Sequence, residues 1–144
     1  MRDKDIMDLE VYKIKNNDWE IIKEEKNIIL KLPAYKLSSW GDDSFLKIIF
    51  KKELKTKTII IEWNSSDFVF ETHKTFFKFD KELPDNLDCL ASDDKKSSII
   101  IDTDFVYDNL LKYNILIVRS SLQKSKTTRI FDISKFKDAI NGIL

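Results

Sequence analysis

Only two glycines, two prolines, one cysteine and one histidine occur among the 144 residues of this chain. Each scarcity removes a class of chemistry. Gly41 and Gly142 stand far apart, whereas a phosphate-cradling loop needs several glycines within a single turn. The lone Cys89 forbids an intramolecular disulfide, and together with the lone His73 it cannot build the nitrogen and sulfur shell that zinc prefers. The calcium loop with its central glycine is missing too, so the acidic pairs at 42–43, 93–94 and 102–104 read as loops or helix caps rather than as ligands. No metal and no cofactor is assigned. No run approaches the roughly 20 apolar residues of a membrane-spanning helix, which excludes that kind of transmembrane segment. The opening "MRDKDIMDLEVYKIK" has charges but no apolar h-region. The expected location is therefore periplasmic or secreted if the chain is a mature fragment of an exported precursor, and cytoplasmic otherwise.

Catalysis is equally short of material. His73 is the one side chain that titrates near neutrality unperturbed, so any Ser-His or Cys-His arrangement has to be built on it. In "ETHKTF" it falls between two predicted strands, the setting of an exposed turn histidine. Cys89, in "NLDCLASDD", lacks the basic neighbours that lower a thiol pKa and reads as a small, part-buried apolar residue. No catalytic residue is assigned, and the protein is not expected to be an enzyme.

Charge of neither sign is in excess: Lys+Arg and Asp+Glu are both 25. A balanced chain is not built to condense on nucleic acid or on an anionic membrane. The stretch "FLKIIFKKELKTKT", 45–58, does interleave aromatics with lysines, as base-stacking barrel faces do. Phe45 and Ile49 are expected to face the core there while Lys47 and Lys51 face water, so nucleic acid is not the expected partner. The charges are unevenly spread, with nine acids against three lysines over 80–108 and seven bases against Asp132 over 112–137. An acidic contact surface for a protein partner is thus expected at Asp85, Asp88, Asp93 and Asp94, with Trp40 in "SSWGDD" as an aromatic anchor.

What is plentiful is material for strands. Twenty isoleucines and ten phenylalanines favour a pleated, half-buried surface. Strand-length apolar runs recur at 11–15, 19–22, 27–32, 45–50, 58–63, 67–71, 75–79, 97–101, 114–120 and 127–131, punctuated by Asn, Asp, Ser and Lys. With glycine so rare, turns are expected to rely on Asn and Asp. The unbroken runs Ile59–Ile61 and Ile99–Ile101 are expected at the centre, covered on both faces. Trp63 is expected in the core and 81–98 is the longest loop-like stretch. Helical spacing of Phe105, Val106, Asn109, Leu110 and Tyr113 predicts a short helix near 103–112 capped by Asp102 or Thr103. The stripe Phe136, Ala139, Ile140 and Ile143 predicts a C-terminal helix near 135–143 with Ser134 as N-cap. The fold expected is a single mainly-β domain over 1–144, an antiparallel β-sandwich whose C-terminal helix closes one end.

The ordered residues "SIIIDTDFVYDNLLKYNILIVRSS", followed by "TTRIFDISKFKDAI", resemble the ending of the bacterial invasion-associated locus B family. Members show a strand, a short helix carrying Phe and Leu, a strand, an Arg, an "FD[LI]S" motif and a terminal helix. The matching residues are Phe105, Leu110, Leu111, Arg129, Phe131, Asp132, Ile133, Ser134, Phe136 and Ala139. Lys135 stands where the family usually has glycine, and its paired cysteines are absent. The resemblance implies a β-sandwich closed by a C-terminal helix and a non-enzymatic, exported bacterial protein acting at the cell envelope or the host interface, with a link to virulence. The alternative is an intracellular immunity-like or adaptor-like module that binds a partner through its charged surface.

Overall fold

The computed structural model describes residues 19–35, 44–53 and 55–143, so the run at 11–15 and the proposed anchor Trp40 lie outside the described residues. Among the described residues nine strands form a single antiparallel sheet: β1 (Glu20–Lys23), β2 (Asn27–Pro33), β3 (Phe45–Lys51), β4 (Thr56–Glu62), β5 (Thr72–Phe79), β6 (Asp85–Ala91), β7 (Ser97–Ile100), β8 (Ile115–Ser121) and β9 (Lys126–Asp132). Two helices accompany them, α1 (Thr103–Lys112) between β7 and β8 and α2 (Phe136–Asn141) after β9. The mainly-β fold with two short helices is as the strand runs implied. Its two layers, however, belong to one hydrogen-bonded sheet of order β1-β2-β3-β4-β7-β6-β5-β8-β9. That sheet curls back on itself, because the Tyr35 amide beyond the end of β2 donates to Ile130 O of β9 at 2.7 Å.

Curling puts one face of nearly every strand into a shared core. Leu30, Leu32, Leu46, Ile48, Ile59 and Ile61 meet Phe77, Phe79, Leu116, Val118 and Phe131 from the opposite half, and Trp63 joins them as expected. Side chains alternate across a strand with a period of two, so the position of one residue fixes the sides of all its neighbours. Because Leu46 and Ile48 point inward, Phe45, Lys47, Ile49 and Lys51 all lie on the outer face. The expectation that Phe45 and Ile49 face the core is corrected by this parity. Nor are the isoleucine triplets covered on both sides: Ile59 and Ile61 are buried, but Ile60 and Ile99 are only partly covered and Ile101 is 57% exposed. Burial on both faces falls instead on β8, in which Ile115, Leu116, Ile117 and Val118 are all buried, and on the end of β9, at Ile130, Phe131 and Asp132.

Two segments also change class. Residues 67–71 form no strand, and the presumed loop 81–98 contains all of β6, whose inward positions are held by Leu87, Cys89 and Ala91. Leu87 and Cys89 lie too close to the acids of "PDNLDCLASDD" for an apolar run to show in the sequence. The turns are tighter than the asparagine expectation allowed. Asn64 and Asp80 do take left-handed backbone, but so do Lys55 and Lys95, at roughly 1 kcal/mol or more each for a residue with a Cβ.

The helices close one end of the curled sheet. Asp102 caps α1 by accepting the Phe105 amide, and Lys57 of β4 ties it down through Asp104 at 3.0 Å. Tyr107 of α1 lies edge-on to Phe50 and to Phe136 of α2, and Phe136 also packs on Trp19 at 5.1 Å between centroids. Phe136 and Ile140 are buried as the stripe predicted, but Ser134 is not the N-cap. Its hydroxyl donates instead to the buried Asp132 at 2.6 Å, and the Phe136 amide is taken by Ile133 O. Replacing Phe136 by Ala removes the shared member of the Trp19 and Tyr107 contacts, with an expected loss of about 3–5 kcal/mol in urea unfolding. Leu83→Ala, at an exposed turn position, is expected to change stability by less than about 0.5 kcal/mol in the same measurement.

Candidate functional site

The end of the sheet opposite the helices is closed by the 64–71 segment and braced by a chain of buried polar groups. Val69 plugs inward, its amide donating to Lys95 O, while Phe68 O accepts from the Gln123 amide. Asp67 pins the segment to the β8–β9 turn. Its carboxylate accepts the Phe68 amide at 2.9 Å, the Lys124 amide at 2.8 Å and the Ser125 hydroxyl at 3.2 Å. Burial opposes ionisation of Asp67, but these three donors and the Lys124 charge outweigh it and hold the carboxyl below its ordinary range.

Below that cover, His73 occupies an inward position of β5 rather than an exposed turn. Its Nδ1 lies 2.8 Å from Phe70 O, which can only accept, so Nδ1 carries the proton and Nε2 accepts from the Ser98 hydroxyl at 2.6 Å. Ser98 Oγ in turn accepts the Trp63 indole N–H at 2.8 Å. The relay continues from Trp63 O to the buried Ser44 hydroxyl at 2.7 Å and from Ser44 to Arg129 Nε at 2.9 Å. A serine bonded to an oriented histidine has the outline of an activated nucleophile. Here Ser98 is 0% exposed and its oxygen is held on both sides, so no substrate atom reaches it. The pair works as a brace linking β4, β7 and β5 to the 64–71 cover. Cys89 is buried nearby, its thiol pushed up to about 11 mainly by burial, against the opposing hydrogen bond to Thr75.

The four acids of the expected contact surface, Asp85, Asp88, Asp93 and Asp94, are all exposed, spread along β6 and the turn after it. Asp94 holds its own turn, accepting the Ser92 hydroxyl at 2.7 Å and the Lys96 amide at 3.0 Å, and those bonds lower its pKa. Asp88 pairs with Lys74 at 3.3 Å on the outer face, and Asp93 sits exposed beside Asp94. Asp85 lies at the other end of β6, roughly 20 Å away at about 3.3 Å per residue. Other acids of the 80–108 cluster also make contacts of their own: Asp80 takes the Asn114 and Ile115 amides, while the exposed Asp102 caps α1 and the exposed Asp104 binds Lys57.

The sheet also assembles an aliphatic outer face. Strand register places Ile60 opposite Ile99 and Ile99 opposite Leu90, and in the next row Ile22 opposite Ile29 and Ile29 opposite Ile49. Leu90 is 45% exposed, and Ile101 follows beside Asp88 O, which accepts its amide. A pocket of about 300 Å³ adjoins this face, lined by Phe45, Glu62, Asn64, Asp94, Lys96 and Ser97 among others. Lys96 is anchored there by Ser65 O at 3.0 Å and lies over the Phe68 ring. These outward aliphatics were hidden in the sequence inside runs that read as doubly covered; the signal that finds them is the parity of Ile59 and Ile61 about Ile60.

Comparisons with family models, with curated proteins and with solved structures returned no match to this chain.

Burial depresses the pKa of His73, with the Phe70 carbonyl bond opposing in part, so the folded state favours the neutral ring. Protonation would also strip the Ser98 hydroxyl of its acceptor. The stabilisation is therefore full above the ordinary histidine value of 6.5 and is lost as pH falls below it toward the lower folded value. Urea midpoints at pH 7.5 and 5.0 are expected to drop further for the wild type than for His73→Gln. Alkylation of Cys89 is expected to be negligible at pH 7.5 until denaturant is added, as followed by mass.

Proposed function

We propose that the protein is a non-catalytic binding module that holds a protein partner against the aliphatic outer face of β4, β7 and β6. The observation that carries this reading is the row Ile60, Ile99 and Leu90, with Ile101 beside it, turned to solvent on strands whose other side already fills the core. Leu90 and Ile101 are exposed and Ile60 and Ile99 partly covered, and contiguous exposed apolar patches are candidate contact sites. The adjoining pocket offers a place for an anchoring side chain of the partner. An exported, envelope-associated setting is supported by the C-terminal resemblance to invasion-associated locus B proteins. The alternative reading, an intracellular immunity-like or adaptor-like module that binds a partner through its charged surface, would draw on Asp85, Asp88, Asp93 and Asp94, which are all exposed.

A photo-reactive residue at position 101 is the direct test in cells of the native host. It is expected to give one discrete adduct that excess untagged protein competes away and that Ile99→Lys abolishes. The same residue at exposed position 126 is expected to give none, and His73→Gln is expected to leave the adduct unchanged. Equal labelling from both positions, or no competed adduct from position 101, sinks the proposal.

A further inference from the structure

We infer that the pocket beside this face receives the guanidinium of an arginine side chain from the partner; the inference rests on reading the aliphatic face as a contact surface. The pocket opens on the outer side of the sheet, where strand register sets Phe45, Glu62 and Ser97 in the row next to Ile60 and Ile99. Asp94 and Lys96, from the turn that precedes β7, line it as well. Its volume of about 300 Å³ lies at the lower end of the range for ligand pockets, room for one long side chain.

The lining offers acceptors, and its lysine is already committed. Lys96 Nζ donates to Ser65 O at 3.0 Å and to Asp67 O at 3.4 Å, and it lies 4.2 Å from the centre of the Phe68 ring. A carboxylate has about four acceptor positions. Among the described residues Glu62 uses Oε2 alone, toward Lys47 at 3.4 Å, and Asp94 takes the Ser92 hydroxyl and the Lys96 amide on Oδ1. Glu62 Oε1 and Asp94 Oδ2 are left for a ligand. Ser97 is an independent sign of one. It is 8% exposed and its amide donates to Ser92 Oγ, yet among the described residues its hydroxyl meets no hydrogen-bond partner. Buried polar groups are nearly always paired, so this hydroxyl on the pocket floor calls for a polar occupant.

An anion would meet two carboxylates, and an apolar group would leave the acceptors and the Ser97 hydroxyl unmatched. Lys31, 4.1 Å from the centre of the Phe45 ring, and Lys47 offset the long-range field of Glu62 and Asp94, so selection falls to short-range bonds. A guanidinium suits that setting better than an ammonium. It is the more weakly hydrated cation, and its planar fork has five N–H donors to share among Glu62, Asp94 and Ser97 Oγ.

Amide NMR spectra of the full chain, titrated with Nα-acetyl-arginine amide, test the inference. The Asn64, Asp94 and Ser97 amides are expected to shift saturably, and the neutral citrulline counterpart to leave them in place at the same concentration. Glu62→Gln is expected to weaken the arginine titration about tenfold at an unchanged thermal midpoint, and to thin the adduct from position 101. Absent shifts, equal shifts with citrulline, or a titration that Glu62→Gln leaves unchanged overturn the guanidinium site. A competed adduct from position 101 in that case leaves the binding reading standing. Saturable arginine binding without the adduct overturns the partner as the source of the side chain, and absence of both overturns the two readings together.

Discussion

A strand has two sides, and once one of them is committed to a shared core the two-residue period of the pleat dictates what the other side shows. In this protein nine strands make that commitment in a single sheet, which closes where Tyr35 reaches Ile130. Leu46 and Ile48 inward place Phe45, Lys47 and Ile49 outward; Ile59 and Ile61 inward place Ile60 outward. The aliphatic face is thus not a separate device added to the fold. It is the reverse side of the core, made conspicuous because isoleucine occupies both sides of the same strands.

The two ends of the curled sheet are sealed by different physics. At one end the seal is aromatic and aliphatic, with Trp19 and Tyr107 each packed on Phe136. At the other it is polar. Arg129, Ser44, Trp63, Ser98, His73 and the Phe70 carbonyl pass hydrogen bonds in sequence from β9 through the residues flanking β3 and β4 to β7 and β5, and each donor or acceptor is matched to the next. Such a network is specific because every member is needed, since an unmatched buried group costs about 1–3 kcal/mol. The same completeness holds Ser98 and His73 in a bracing role.

Much of the architecture was legible along the chain. Most of the strand runs, the helix after Asp102 and the buried stripe of Phe136 and Ile140 follow from spacing alone. Less legible were features that depend on what lies across the sheet. β6 was masked by Asp85 at its start, Asp88 on its solvent face and Asp93 and Asp94 just beyond its end, which leave only Leu87, Cys89, Leu90 and Ala91 as apolar signal. The 67–71 run looked like a strand, yet it folds over the open end, where Val69 alone points in and Phe68 and Phe70 remain exposed. The bonds that Asp80 accepts from the Asn114 and Ile115 amides were equally invisible, because those partners lie more than about thirty residues further along the chain.

Composition and period by themselves determined that this would be a mainly-β chain with two short helices, without the residues for zinc, a disulfide or a phosphate loop, because those conclusions depend only on which side chains exist and how they repeat locally. Which side of each strand faces inward, whether His73 turns to solvent or to Ser98, and which isoleucines remain uncovered were decided by the tertiary structure. Burial is a relation between segments distant in sequence: Ile99 is outward only because Ile100 meets a core built from both halves of the sheet. No local pattern contains that information, since a triplet such as Ile99–Ile101 reads the same from either face.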